Sequence, residues 1–220
     1  KRGVMTSEQA TKTTVTAGRV EWLRNSMKSE PAGAAEAAWG WIEELSARAK
    51  SDAASAEAEL NELFRLGDVP VGLDGPTDGV LVMTTTQARA DAALRALTAV
   101  WMPWQGKRFN AAAAIGDNRL TKSTSVVGKF LWPLYSMRDT DCGKLAFDFN
   151  TYAEAGKDDP DIQVMVIDYA NVPRNPKLLI RSIRDELVEV VPGVYLGKIL
   201  FNSGEKYTKI GYFALRNFAR

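Results

Sequence analysis

The last third of the chain alternates apolar and polar residues with a period of two in Leu145–Tyr152, Asp161–Tyr169 and Val194–Phe201, and a fourth run, Tyr207–Leu215, follows. Successive side chains on a strand point to opposite faces, so this rhythm builds a sheet with two different walls. Several such strands joined by turn residues form an antiparallel sheet that curls or closes, rather than a parallel α/β sheet. A curled sheet has an inside, and an inside can hold a ligand. Leu187–Val191, Pro192-Gly193 and Val194–Asn202 read as a hairpin, and Asn202-Ser203-Gly204-Glu205 supplies the next reversal.

The rest of the chain is less regular. Residues 5 to 18 are Thr/Ser/Lys-rich and read as loosely ordered, while Val20, Leu23 and Met27 predict a short helix ending before Pro31. From Pro31 to Phe64 an apolar stripe of Trp39, Ile42, Leu45, Ala49, Ala56, Leu60 and Leu63 predicts helix, divided near Ser51-Asp52, either of which caps the second half. The turn formers of 67–79 mark a boundary between a helical segment, 1–66, and a β domain, 67–220. Within the latter, Val80–Thr86 and Gly106–Ala114 read as strands and Ala88–Trp101 as a short helix. Gly116-Asp117-Asn118 reads as a turn, and Ser125–Tyr135 as an aromatic strand interrupted by Pro133. Lys177–Glu186 satisfies helix and strand spacing alike.

Composition removes several chemistries. The chain has no histidine, which excludes Ser-His-Asp and Cys-His catalysis and a proximal-histidine haem. Its one cysteine, Cys142, forms no internal disulfide or zinc cluster, and its acidic neighbours Asp139 and Asp141 disfavour the thiolate. Cysteine usage fits a cytoplasmic protein. A net charge of +1 offers no general field for nucleic acid, and no run approaches the roughly 20 apolar residues of a membrane span. Met5-Thr6-Ser7 reads like a natural start, with Lys1–Val4 a remnant ahead of it. The Pro31–Phe64 stripe packs inside the protein in preference to forming a homodimer seam, because its alanines suit a coiled coil poorly.

The candidate chemistry lies in carboxylates and aromatics. Asp148 stands between Phe147 and Phe149, and Asp168 shares a strand face with Val164 and Val166. A carboxylate in an apolar lining has a raised pKa and suits proton transfer, so Asp148 and Asp168 are the candidate acid/base pair of an enzyme. The plainer reading makes each a strand-end aspartate paired with arginine or water. Arg181, Arg184, Asp185 and Glu186 read as surface ion pairs, Lys107-Arg108 as solvated strand-end charges, and Asp158-Asp159-Pro160-Asp161 as a solvated acidic turn. Small-molecule pockets are mainly apolar and aromatic, which nominates Trp104, Phe109, Phe130, Trp132, Tyr169, Tyr195 and Tyr212 as ligand-binding residues.

Pro103-Trp104-Gln105-Gly106-Lys107-Arg108-Phe109 with Gly116-Asp117-Asn118, together with Ile183–Leu187 and Pro192–Lys198, resembles two blocks of an uncharacterised, mostly actinobacterial family. The resemblance covers residues 67 to 216 and implies a lipocalin-like barrel, without any catalytic residue to carry over. The expected protein is thus α+β: N-terminal helices followed by an antiparallel, lipocalin-like β-barrel or strongly curled sheet. Its expected function is to bind, without a cofactor, a small apolar molecule of the fatty acid, polyketide or terpenoid class. The alternatives are a barrel enzyme that isomerises, cyclises or hydrates such a molecule, and an assembly protein acting through its N-terminal helix.

Overall fold

Strong helix formers and apolar residues at every third or fourth position produce the N-terminal layer. A computed structural model, which describes residues 7–85, 104–121, 135–141, 143–177 and 179–217, places three helices there: α1 (Ser7–Ser26), α2 (Pro31–Arg48) and α3 (Ala53–Arg65). Pro31 occupies the first turn of α2, where its missing N–H costs nothing. Asp52 caps α3 by accepting the Ser55 backbone N–H at 3.1 Å. Helix α1 begins at Ser7, so the stretch expected to be loose is helical as far as it is described. Buried Val20 and Leu23 anchor that helix and carry its polar upstream turns with them. None of the described helices is long and apolar enough to cross a membrane.

Among the described residues nine strands follow: β1 (Gly75–Thr84), β2 (Trp104–Asn110), β3 (Ile115–Leu120), β4 (Arg138–Thr140), β5 (Gly143–Ala155), β6 (Gln163–Asp168), β7 (Ile183–Val191), β8 (Val194–Asn202) and β9 (Tyr207–Asn217). All pair antiparallel. Strand β3 pairs with β2 along one edge and with β5 along the other, which closes the ring β1-β2-β3-β5-β6-β7-β8-β9 into an eight-stranded barrel. Strand β4 lies beside the first residues of β5.

Three local expectations change. Gly116-Asp117-Asn118 lies inside β3, and the chain reverses at Ala111–Ala114 instead, where Asn110 Oδ1 accepts the Ala113 N–H at 3.1 Å. Gly116 serves close approach: a Cβ there would stand 2.4 Å from the Phe149 ring. Strand β1 starts within the turn-rich 67–79 stretch, and 180–182 forms a single 3-10 turn before β7. The segments Ala88–Trp101 and 125–134 lie outside the described residues.

The barrel has two cores because both its walls are buried on one side. Outside, Trp39, Trp41, Ile42, Leu45, Leu60, Leu63 and Phe64 of the helices pack on Val82, Val164, Val166, Val188, Val190, Leu196 and Ala214. The helical stripe therefore packs on the barrel wall. Inside, Leu120, Phe147, Phe149, Ile167, Leu187, Ile199, Ile210 and Phe213 fill the lumen. An eight-stranded barrel is just wide enough for its own side chains or for one small ligand.

Charges fasten the helical layer. Arg65 of α3 binds Asp159 at 2.7 Å and also Asp161, while fully buried Lys198 of β8 binds Asp158 at 2.7 Å and also Asp159. The acidic turn is thus a clamp between α3 and the barrel, not a solvated loop.

Close approach inside the barrel generates the first prediction. A Cβ on Gly197 of β8 would lie 2.2 Å from the Phe213 ring. Gly197→Ala therefore overpacks the lumen and lowers the unfolding free energy in urea by about 1–3 kcal/mol. An unchanged urea midpoint would contradict this packing.

Candidate functional site

On β2 the pleat sends Lys107 and Phe109 inward and Arg108 outward. The register keeps Lys107 in the lumen because Gly106, at φ 138, lets the strand pass close to Thr77: a Cβ there would meet the Thr77 carbonyl at 2.2 Å. Lys107 is 2% exposed. Its Nζ donates to Asn118 Oδ1 at 3.0 Å, Tyr169 OH at 2.5 Å and Asp185 Oδ2 at 2.9 Å. Those three acceptors come from β3, from the end of β6 and from β7. All three ammonium protons are engaged.

The cluster continues beyond the lysine. Tyr169 OH donates to Asp185 Oδ2 at 3.0 Å, Asn118 Nδ2 donates to the Phe147 carbonyl at 3.1 Å, and the Trp104 indole N–H donates to Asn118 Oδ1 at 3.0 Å. Aromatic faces surround the ammonium: Trp104, Phe149, Tyr169 and Phe213 have ring centroids 5.2–5.6 Å from Nζ. Such contacts favour a cation. Burial pulls the other way and holds the Lys107 pKa below the usual lysine range, with Asp185 opposing it. Strands β2 and β7 stand four places apart in either direction round the ring, so the Lys107–Asp185 pair crosses the barrel's full width.

One acceptor is left over. Asp185 Oδ1 is buried and has no hydrogen-bond partner among the described residues. Asp185 lines a cavity of about 20 Å³ together with Leu81, Trp104, Lys107, Asn118, Tyr169, Ile199 and Phe213. That is room for about one water molecule.

The structure redistributes the nominated residues. Trp104 and Tyr169 border the cavity, and Phe109 and Tyr195 belong to the inner core outside its lining. Tyr212 faces outward, where its OH donates to Asn61 Oδ1 of α3 at 2.6 Å, because the outer face of β9 is covered by helices. Phe130 and Trp132 lie outside the described residues. Asp168 points out of the lumen with Val164 and Val166, and its carboxylate accepts from the Ala170 N–H at 2.8 Å and Asn171 Nδ2 at 2.6 Å, closing the turn after β6. Asp148 also faces outward, paired with Arg138 at 2.6 Å and Arg174 at 3.1 Å. The two aspartates nominated as acid and base therefore share no lumen site. The lumen carboxylate is Asp185, which the sequence placed on the surface. Lys107 shares its strand face with Phe109, and Asp185 shares its face with Ile183 and Leu187; that alternation was the available signal.

A second constellation lines the outer wall of β2, β3 and β5. Asp117 Oδ2 accepts from Arg108 at 2.6 Å and Arg138 at 3.1 Å. A cleft of about 820 Å³ runs past Arg108, Asp117, Arg138 and Asp148, bordered by Phe109, Ile115, Phe149 and Val172. Burial raises the Asp117 pKa even though Arg108 and Arg138 oppose it.

No family model and no curated protein matches this chain. It is similar in structure to a crystallised protein from the actinobacterium Thermomonospora curvata, with a TM-score of 0.46 and 18% identity over 81% of this chain and 99% of that one. That description names no activity, so the likeness transfers none.

Two outcomes follow from the lumen geometry. Lys107→Met or Asp185→Leu alone leaves a buried charge uncompensated and costs about 3–5 kcal/mol, whereas the double variant costs much less than their sum. Additive losses in denaturant titrations would contradict the strut. Burial also raises the phenol pKa of Tyr169 and Tyr212, and pushes that of Tyr195 up to about 12. Folded values above the unfolded value of about 10 mean that this stability is whole below about pH 10 and is lost as pH rises toward 12. Tyrosinate absorbance from these three should therefore appear together with loss of the barrel's circular dichroism. Ionisation near pH 10 with the fold intact would contradict the placement.

Proposed function

We propose that the barrel binds a compact apolar molecule carrying one hydrogen-bond donor, which is delivered to Asp185 Oδ1 while the apolar body rests among Leu81, Trp104, Ile199 and Phe213. The observation that carries this reading is the unpartnered carboxylate oxygen on an aromatic-walled cavity. A buried acceptor without a donor costs roughly 1–3 kcal/mol, and a guest hydroxyl or N–H recovers it. Lys107 and Tyr169 hold Asp185 Oδ2, so the carboxylate is oriented before any guest arrives. Such preorganisation is what turns a polar contact into selectivity.

The size of the cavity narrows the guest. About 20 Å³ accepts a water as it stands, and a ring-sized guest requires Leu81 and Trp104 to swing aside. A long fatty acid, polyketide or terpenoid would have to displace far more of the inner core, so compact guests fit the lumen better than those classes.

The test uses an isosteric pair, phenol and toluene, followed by tryptophan fluorescence and native mass spectrometry. Phenol should bind saturably and at least about tenfold more tightly than toluene, a difference of ~1.4 kcal/mol. Leu81→Phe, which fills the cavity without touching the polar groups, should abolish binding, and Asp185→Asn should remove the preference for phenol. Equal affinities for the pair, or phenol binding that survives Leu81→Phe, would refute the reading.

A further inference from the structure

We propose that the outer cleft along β2, β3 and β5 is a binding site for a phosphate monoester with an apolar body. It is separate from the lumen, since the pleat puts Arg108 and Asp117 on one side of the wall and Lys107 and Asn118 on the other.

Three guanidinium groups converge on Asp117 and Asp148: Arg108 and Arg138 line the cleft, and Arg174 adjoins it through its pair with Asp148. Arg138 bridges Asp117 at 3.1 Å and Asp148 at 2.6 Å, Arg108 holds Asp117 at 2.6 Å, and Arg174 holds Asp148 at 3.1 Å. Arg108 and Arg174 keep half-exposed side chains, each 48% accessible, and each makes one ion pair among the described residues. A guanidinium has five N–H donors in a planar fork suited to two oxygens of one phosphate. Both arginines therefore have donors to offer an incoming anion without releasing the aspartate they hold. Asp74, the third acid in the cleft, spends Oδ1 on the Ala111 N–H at 2.9 Å.

A second feature distinguishes the phosphate from other anions. Asp117 is 5% exposed, lines the cleft, and has Oδ1 without a partner among the described residues. An unpaired carboxylate oxygen repels a group made only of acceptors and attracts one that also carries a proton. A phosphate monoester at pH near 6 has anionic oxygens for arginines and an O–H for Asp117 Oδ1, because its second pKa is about 6. Sulfate esters and carboxylates lack that proton. Exposed Ile115 and half-buried Val172 supply a surface for an apolar or aromatic body, and the cleft volume of about 820 Å³ falls in the small-molecule range.

The experiment titrates the intact chain at about pH 6 with phenyl phosphate, phenyl sulfate and phenol, read by calorimetry and by amide shifts of β2 and β3. Phenyl phosphate should bind saturably, and phenyl sulfate and phenol should each bind at least about fivefold more weakly, consistent with charge-assisted hydrogen bonds that need both donor and acceptor. Arg108→Gln and Arg174→Gln should each weaken phenyl phosphate by about tenfold. Both variants leave Asp117 and Asp148 paired with Arg138, so an unchanged thermal melt verifies that they fold. Lys28→Gln, on the chain after α1, should change nothing. Equal binding of phosphate and sulfate esters, phenyl phosphate affinity indifferent to Arg108→Gln and Arg174→Gln, or no saturable binding would each overturn the proposal.

Discussion

The Lys107–Asp185 pair sets what the barrel's interior can be. It joins opposite strands of an eight-stranded ring, and Asn118 and Tyr169 consume its remaining hydrogen-bonding capacity except at one oxygen. Two charges taken out of water are costly, and only tight geometry with further hydrogen bonds offsets that cost. The lumen supplies both, and adds four aromatic faces toward the ammonium. The consequence is a barrel whose described interior is filled around a cavity of about 20 Å³ that Asp185 lines.

Burial on both sides of the wall explains the remaining architecture. Strand β7 sends Asp185 and Leu187 into the lumen and Arg184, Glu186, Val188 and Val190 toward the outer layer. Polar side chains on either face must then find partners inside the protein. Arg184 binds Glu186 at 2.8 Å and Glu154 at 2.8 Å, and Lys198 ties β8 to the acidic turn that also holds α3. The helical layer is thus fastened by the same strands that shape the lumen.

The same fact decides how much the sequence disclosed. Alternation in the runs that form β5, β6, β8 and β9 is legible because the pleat has a period of two, and the Pro192-Gly193 turn marks the hairpin that adds the second half of β7, with Gly193 at φ 86. A sheet that curls or closes and a cap at Ser51 or Asp52 are likewise readable; the β3–β5 pairing and the Asp52–Ser55 bond decide between the alternatives. Arg184-Asp185-Glu186 and Lys107, though not Arg108, depart from the surface reading because charges are normally solvated, a rule that fails where helices cover one face and a lumen the other. Tyr212 was assigned inward although Phe213 holds that face, since nothing in the pattern says which side the helices cover. Asp168 was legible as a strand-end aspartate, and its outward direction follows from its sharing a face with Val164 and Val166. Asn118 was hidden because Gly-Asp-Asn resembles a turn; only the Phe149 ring against Gly116 shows why the strand continues.

The most direct measurement of the strut is the ¹H–¹⁵N resonance of the Lys107 ammonium in isotopically labelled protein. A buried ammonium with three fixed acceptors should give a sharp, slowly exchanging signal that is distinct from the surface lysines and disappears in Lys107→Met. Detection of only rapidly exchanging lysine ammonium groups at neutral pH would mean that the charge does not span the barrel, and the account of the lumen would fail.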